Sequence, residues 1–138
     1  MLSVKPDELR SLSERIFAAA GTPAEAADYV AQSLVTANLM GHDSHGVIRI
    51  PRYISQIRDG SLKPAATPSV IKETETTALV DGSFTFGQVA ARFATDVAIA
   101  KAKRYHTAAV GLVNQNHTGR IGEFAEMMGC AGLFGMFI

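Results

Sequence analysis

With 138 residues, the chain has the length of about one domain. Hydrophobic residues make up 47% of it and charged residues 19%, which excludes a disordered chain and allows a buried core. Its 13 Lys and Arg residues balance 13 Asp and Glu residues, so the chain lacks the basic surplus of a nucleic-acid-binding protein.

Two features of the sequence bear on the cellular compartment of the protein. The single cysteine, Cys130, cannot form an internal disulfide, which fits a reducing cytoplasm, and its apolar neighbours predict a buried residue rather than a nucleophile. The stretch Met1–Arg10 is charged and lacks the apolar core of a signal peptide, and no apolar run reaches membrane-spanning length. We therefore expect a cytoplasmic protein with no membrane partner.

The N-terminal part carries three helical patterns separated by glycines. The predicted helices are Pro6–Ala20, a second that opens at Thr22-Pro23-Ala24-Glu25 and runs to about Met40, and a third from about Ile48 to Asp59. Thr22 is expected to cap the second helix, with Glu25 completing a capping box. Pro51 has no N–H and fits only a first helical turn, which places the start of the third helix near Ile48.

The rest of the sequence alternates strands and helices. The predicted elements are strands Ser69–Glu73 and Ala78–Asp81, a helix Phe86–Tyr105, a buried strand Ala108–Val113, a helix Glu123–Gly129 and a second buried strand Gly132–Ile138. Apolar periodicity predicts that the long helix buries Val89, Phe93, Val97 and Ala100. Its last turns are expected to form a solvated end that carries Lys101, Lys103 and Arg104.

The densest group of polar side chains is Gly41-His42-Asp43-Ser44-His45-Gly46-Val47-Ile48-Arg49-Ile50-Pro51-Arg52-Tyr53. His45 can take or give a proton near neutral pH, and Ser44 or Asp43 can hold its ring. Arg49 can grip a carboxylate through two parallel N–H bonds. Together they indicate chemistry on a small 2-hydroxy or 2-oxo acid. The alternative is a polar turn in which Asp43 and Ser44 only cap a helix.

A strand, a glycine-containing loop and a helix N-terminus follow one another from Ala108 to Gly129, an order that can hold an anion. Backbone N–H groups around Gly119 and Gly122 can meet a cofactor phosphate or ribose, and Arg120 can add charge. The alternative is that these glycines serve tight packing at a helix start. The chain contains no G-x-G-x-x-G pattern, so a Rossmann nucleotide site is not expected.

Three stretches together resemble a known family. They are Asp43-Ser44-His45-Gly46-Val47 with Arg49, Pro51-Arg52-Tyr53 and Gly60; Asn116-His117-Thr118-Gly119-Arg120-Ile121-Gly122; and Phe86-Gly87-Gln88-Val89-Ala90. They resemble the malate/L-lactate dehydrogenase family of NAD(P)-dependent oxidoreductases, and most of all its hydroxycarboxylate dehydrogenase B branch. The resemblance implies a mixed α/β (α+β) fold that is not Rossmann. In it, an N-terminal helical part, residues 1–62, packs on a strand and helix layer, and residues 63–138 begin an incomplete NAD(P)-binding α/β domain.

The resemblance also implies roles for individual residues. His45 is expected to be the general acid/base with Ser44 as its relay, although some family members use the imidazole at His117 instead. Arg49 is expected to bind the substrate carboxylate, and Tyr53 to line the same pocket. Gln88 is a candidate for the pocket wall. NAD or NADP is expected to lie against Asn116, His117, Thr118, Gly119, Arg120 and Ile121. The implied assembly is a homodimer without a metal.

Two other functions remain open at this point. A metal hydrolase would use His42, Asp43, His45 and His117 as ligands, of types that suit zinc. A non-catalytic fragment or interaction module would keep only the N-terminal half of the fold and pair its open strand edge with a partner. The apolar strand predicted at Gly132–Ile138 suggests the N-terminal piece of a longer protein, since a strand edge of this kind is rarely left exposed.

Overall fold

The computed structural model of the protein describes residues 4–138. Residues 1–3, which begin the predicted helical part and the charged N-terminal stretch, lie outside the described residues. The chain divides into two compact units, one up to Ala65 and one from Ala66 to Ile138. The first is helical and the second contains both strands and helices, so the predicted mixed α/β fold class is confirmed.

The helical unit contains α1 (Pro6–Ala19), α2 (Ala24–Leu39) and α3 (Ile50–Asp59). Helix α1 packs on α2, and Arg10 of α1 donates to Asp28 of α2 at 2.6 Å. Between α2 and α3 the chain forms two short 3₁₀ turns, Asp43–His45 and Val47–Arg49. The buried apolar residues of this unit include Phe17, Ala27, Val30, Ala31, Leu34 and Tyr53.

The predicted ends of these helices are correct to within two residues. Pro51 lies in the first turn of α3, and Gly60 ends that helix in the left-handed region with a φ of 80°. The predicted capping box is wrong, because α2 begins after Pro23 without a side-chain cap. The N–H of Thr22 instead donates to the carbonyl of Phe17 at the end of α1. The Thr22 hydroxyl is buried and has no hydrogen-bond partner among the described residues.

The second unit contains three strands and two helices among its described residues: β1 (Ser69–Glu73), β2 (Thr77–Asp81), α4 (Gly87–Tyr105), β3 (Ala109–Val113) and α5 (Gly122–Cys130). The strands are ordered β1-β2-β3. The first pair is antiparallel, with an irregularity between Val70 and Lys72. The second pair is parallel, with Thr77 opposite Ala109, so α4 is the crossover between two parallel strands. This order brings the loop before α4 and the loop before α5 to the same edge of the sheet.

The buried side of α4 differs from the predicted one. Its buried residues are Gly87, Gln88, Ala90, Ala91, Ala94 and Thr95. Val89, Phe93 and Val97 are only half-buried, and Ala100 is exposed. Small side chains form the buried face because the helix lies close to the backbone around it: a Cβ on Gly82 would be 3.1 Å from the Cβ of Ala90. The predicted solvated end is also wrong for Lys101, which donates to the Glu73 carboxylate at 2.9 Å and to the Thr74 carbonyl at 2.6 Å.

Three further predictions, for the C-terminal part of the second unit, are wrong. Strand β3 alternates between exposed and half-buried residues and is not buried, since among the described strands it pairs only with β2. Gly132–Ile138 pairs with no strand among residues 4–138, and its side chains alternate between partial burial and full exposure. In this segment Phe137 packs against Phe124 with 4.7 Å between ring centroids. Cys130 is exposed at the end of α5, not buried. Within residues 4–138, no helix combines the length and the apolar character that crossing a membrane requires.

Candidate functional site

The loop between α2 and α3 brings the predicted acid/base pair into contact. Ser44 Oγ lies 2.9 Å from Nδ1 of His45. Arg49 Nε donates to the carbonyl oxygen of Ser44 at 2.5 Å, so the guanidinium folds back over the turn that carries the histidine. The imidazole, the hydroxyl and the guanidinium therefore share one short loop. Ser44 is exposed, and His45 and Arg49 are half-buried.

Asn38, in the last turn of α2, holds this loop and was missed by the sequence reasoning. Its Nδ2 donates to Asp43 Oδ1 at 2.6 Å, and its Oδ1 accepts the Val47 N–H at 2.9 Å. The sequence offers little signal for it, because an asparagine near the end of a helix is common. The capping interpretation of the loop is wrong: neither Asp43 nor Ser44 caps a helix through its side chain, and each bonds a side chain of the loop or of α2 instead.

Tyr53 lies in the core of the helical unit. It is 1% exposed, and its ring centroid is 6.3 Å from that of Phe17. A tyrosine in the first turns of α3 thus packs against α1. The burial gives the expected pocket-lining role no support from this structure.

The loop before α5 is joined to the loop before α4. Asn116 Nδ2 donates to the carbonyl oxygens of Phe84 at 2.8 Å and of Thr85 at 3.0 Å. The N–H of Phe84 in turn donates to the Asn114 carbonyl at 2.7 Å. Phe84 and Asn114 both have a positive φ, of 58° and 52°, which is uncommon outside glycine. Backbone strain of this kind often marks functional sites. Residues 83–85 were not identified as part of a site from the sequence.

Two glycines allow these loops to come close. A Cβ on Gly87, at the start of α4, would lie 2.2 Å from the Asn116 carbonyl oxygen and 2.3 Å from that of His117. A Cβ on Gly119 would lie 3.1 Å from Nε2 of Gln88, which is fully buried. The Asn116–Gly119 segment therefore packs directly on the Phe86-Gly87-Gln88 motif, with the Gln88 side chain buried below the segment.

The imidazole of His117 is oriented by its own loop. The N–H of Gly119 donates to Nδ1 of His117 at 3.3 Å, and Gly119 has a φ of 77°. Because Nδ1 accepts this bond, the proton of the neutral ring resides on Nε2. In this tautomer, Nε2 of His117 carries the ring N–H.

Arg120 has a different role from the one expected. Its two terminal nitrogens donate to the two Glu126 carboxylate oxygens, each at 2.9 Å, and the arginine is 9% exposed. These hydrogen bonds raise the pKa of Arg120 and lower the pKa of Glu126, with burial acting against both shifts. Gly122 makes room for the guanidinium, since a Cβ there would be 2.8 Å from Arg120 Nη1. The charge of Arg120 is therefore matched within the unit, and the residue ties the loop to α5.

The remaining residues of the loop offer uncharged groups. Thr118 is half-buried, and Ile121 is 49% exposed immediately before α5.

Among residues 4–138, no group of three or more His, Cys, Asp or Glu side chains has the geometry of a metal site. An open groove of about 540 Å³ in the second unit lies elsewhere, where the end of β1 meets the last turns of α4, and is lined by residues such as Glu73, Lys101, Arg104 and Tyr105.

Comparison with known proteins agrees with these motifs. A sequence profile of the malate/L-lactate dehydrogenase family matches residues 4–138. The chain belongs to the malate/L-lactate dehydrogenase family. The resemblance inferred from the three motifs is thereby confirmed.

Individual members of the malate/L-lactate dehydrogenase family show the extent of the match. Hydroxycarboxylate dehydrogenase B of Escherichia coli strain K12 is 40% identical over 124 residues, which are 90% of this chain and 34% of that protein. L-sulfolactate dehydrogenase of Methanothermobacter thermautotrophicus is 33% identical over 137 residues, 99% of this chain and 40% of that protein. The structure of malate dehydrogenase from Pyrococcus horikoshii OT3 superposes with a TM-score of 0.91 at 37% identity, covering 95% of this chain and 38% of that one. The chain thus has the fold of the corresponding part of these dehydrogenases and spans 34–40% of the length of these relatives.

Proposed function

We propose that the chain is part of an NAD(P)-dependent oxidoreductase that interconverts a small 2-hydroxy acid and the corresponding 2-oxo acid. The observation that carries the proposal is the contact of Ser44 with His45, in a loop whose Ser44 carbonyl is bonded by the Arg49 guanidinium, in a member of this family. A proton-transfer group beside a carboxylate-binding group is what such a reaction requires of the protein.

We assign the acid/base role to His45 rather than His117. The Ser44 hydroxyl can donate to an unprotonated Nδ1 of His45 or accept from a protonated one, so their contact survives both states of the ring. At His117, the Gly119 N–H can only donate, so a proton on Nδ1 would destroy the contact. His45 can therefore cycle between two protonation states while keeping its contact with Ser44. His117 suits a fixed donor role through Nε2.

Arg49 is proposed to bind the substrate carboxylate. Its Nε is engaged by the Ser44 carbonyl, which fixes the plane of the guanidinium, and its two Nη groups can then form parallel bonds to a carboxylate. Such a clamp would place the adjacent 2-oxo group of the substrate next to His45. Tyr53, which is buried, is proposed to support this site through α3.

NAD or NADP is proposed to lie against Asn116, His117, Thr118, Gly119, Arg120 and Ile121, and when bound it supplies the hydride. The donor set fits an uncharged part of that molecule, such as a carboxamide or ribose: His117 Nε2, the Thr118 hydroxyl and loop N–H groups. It does not fit a phosphate at Arg120, because the Glu126 carboxylate already accepts from both terminal nitrogens of that guanidinium. Arg120 would then contribute by holding the loop in shape.

The test is an assay of the protein that carries this chain, following oxidation of NADH or NADPH with pyruvate or oxaloacetate. His45→Asn is expected to lower kcat by roughly 100- to 10,000-fold, the usual contribution of a general acid/base. His117→Asn, which keeps a hydrogen-bond donor, is expected to change the KM of the cofactor more than kcat. No oxidation with any 2-oxo acid would contradict the proposed reaction, and the reverse pattern in the two variants would exchange the roles of the histidines.

We further propose that the protein is cytoplasmic and acts as a homodimer. The family resemblance supports a dimer, and exposed apolar side chains beside the His45 loop support it too: Leu39, Met40 and Ile48 are 66%, 55% and 70% exposed. Sedimentation at micromolar concentration is expected to give a species of twice the subunit mass, and a monomer at all concentrations would contradict this.

The second candidate function is a non-catalytic interaction module. The exposed side chains of Phe134, Met136 and Ile138, at 102%, 75% and 97%, favour it, because an extended segment of this kind can add to a partner's sheet. Stable self-association together with failure to bind NADH or NADPH would support this alternative over the oxidoreductase.

A further inference from the structure

The amide of Asn38 bridges the two sides of the loop that carries His45. It bonds Asp43, two residues before the histidine, and the backbone of Val47, two residues after it. We propose that Asn38 is a positioning residue for His45, acting as a clamp whose other essential member is Gly46. The catalytic consequence of this inference rests on the proposed function, but the clamp itself is a property of the loop.

Both bonds of the clamp require an amide at position 38. The ionised Asp43 carboxylate only accepts hydrogen bonds, and the Val47 N–H only donates. The partners therefore fix which end of the Asn38 amide is nitrogen and which is oxygen. An aspartate, serine or alanine at this position cannot donate to Asp43 and accept from Val47 in the same geometry.

Gly46 provides the space for the clamp. A Cβ on this residue would lie 2.1 Å from Oδ1, 2.4 Å from Cγ and 2.6 Å from Nδ2 of Asn38. Its φ is −88°, a value that any residue adopts, so the backbone does not require glycine here. The requirement comes from the Asn38 side chain, which occupies the place of a Cβ.

Backbone hydrogen bonds also hold the shape of the loop. Two turn bonds support it, from the His45 N–H to the His42 carbonyl at 2.9 Å and from the Gly46 N–H to the Asp43 carbonyl at 3.1 Å. These belong to single 3₁₀ turns, which are weak by themselves. Arg49 adds one bond to the Ser44 carbonyl. The His42 N–H donates to the Ala37 carbonyl of α2 at 2.8 Å, which holds the start of the loop on that helix. The Asn38 clamp ties the segments on both sides of His45 to the same helix, so it contributes to where the imidazole lies.

The first experiment tests whether the Asn38 hydrogen bonds hold the loop, and it needs no assay of activity. Hydrogen exchange of the Val47 amide is followed in the full chain and in Asn38→Ala. Loss of the bond to Oδ1 is expected to speed exchange roughly tenfold, with a shift of the His45 ring resonances. The double variant Asn38→Asp/Asp43→Asn exchanges the roles of the two side chains, keeps both bonds and is expected to restore slow exchange. Asn38→Asp alone places two carboxylates opposite each other. Its Val47 amide is expected to exchange at least as fast as that of Asn38→Ala.

The second experiment uses Gly46. Gly46→Ala is expected to displace the Asn38 amide and to reproduce the fast exchange of Val47. In the double variant Asn38→Ala/Gly46→Ala, Val47 exchange is expected to be no faster than in either single variant, because the clash disappears when the Asn38 amide is removed. Gly129→Ala is the matched control, since a Cβ there would contact nothing within 4 Å and is expected to leave Val47 exchange unchanged.

The third experiment measures the catalytic consequence in the protein that carries this chain. Asn38→Ala is expected to lower kcat roughly 100-fold, the scale of a 1 Å misplacement of a reacting group, while the KM of the cofactor changes less than about twofold. The swapped double variant is expected to recover most of the activity, which a loss of folding would not allow.

The outcomes separate the two proposals. Unchanged Val47 exchange in Asn38→Ala, or no restoration by the swapped variant, overturns the clamp whatever the activity. A clamp that behaves as described in a protein that reduces no 2-oxo acid overturns the proposed function and leaves the clamp as a structural device. Normal kcat in Asn38→Ala of an active enzyme overturns the positioning role.

Discussion

Gly87 lies directly against the backbone of His117. A Cβ on this glycine would come within 2.3 Å of the His117 carbonyl oxygen and within 2.2 Å of that of Asn116. The two residues are far apart in sequence, and the loop of His117 can adopt its observed position only because the first residue of α4 has no side chain. The conformation of one candidate cofactor loop thus depends on a glycine in another motif.

Gly87→Ala is therefore expected to destabilise the second unit by about 3 kcal/mol, since backbone atoms cannot move aside as a flexible side chain does. Urea unfolding followed by circular dichroism would measure the change. Gly129→Ala in α5 is the matched control and is expected to be neutral or slightly stabilising, because nothing lies within 4 Å of its Cβ and alanine favours a helix. Equal stabilities of the two variants would contradict the close approach at Gly87.

Asn116 supports the same loop through two hydrogen bonds to carbonyl oxygens. Asn116→Ala is expected to cost about 1–2 kcal/mol of unfolding free energy, and Asn116→Asp more, because a carboxylate would face the carbonyls of Phe84 and Thr85. The neighbouring exposed residue allows a matched control: Gln115→Glu makes the same chemical change and is expected to stay within about 0.5 kcal/mol of the wild type. If Asn116→Asp were as stable as Asn116→Ala, the described bonds would not be the source of the effect.

The ion pair of Arg120 and Glu126 predicts a pH dependence of stability. Hydrogen bonds from Arg120 lower the pKa of Glu126 below its ordinary value of 4.5, so the pair stabilises the fold above that pH. The stabilisation is lost as the pH falls below 4.5 through the folded-state pKa. Since the Glu126 side chain is 57% exposed, we expect a contribution of only about 1 kcal/mol or less.

Urea unfolding of the wild type and Glu126→Gln at pH 7 and pH 3 would measure this contribution. The variant is expected to be less stable at pH 7 and to differ little from the wild type at pH 3. Glu75→Gln, which changes an exposed carboxylate beside β2, serves as the control. A difference of the same size at both pH values would show that the charge of Glu126 is not involved.

Local parts of the fold could be predicted because they depend on neighbours along the chain. Pro51 and Gly60 mark the two ends of α3 through their restricted or unusual φ angles. The contact of Ser44 with His45 follows from their adjacency in one turn. The role of His45 in catalysis, the start of an NAD(P)-binding domain near residue 63 and the cofactor contacts stay predictions.

The sequence by itself determined the order of the five α-helices and three strands that the structure describes up to α5, the fold class and the motifs that point to the family. The tertiary structure decided which residues those motifs depend on: Asn38 beneath the His45 loop, Gly87 beneath His117, and Glu126 opposite Arg120. It also decided that α4 buries alanines and glycine rather than its larger apolar residues. The physical reason is that backbone preferences act between near neighbours, whereas the buried face of a helix and the partner of a charged group depend on which distant segment lies against them.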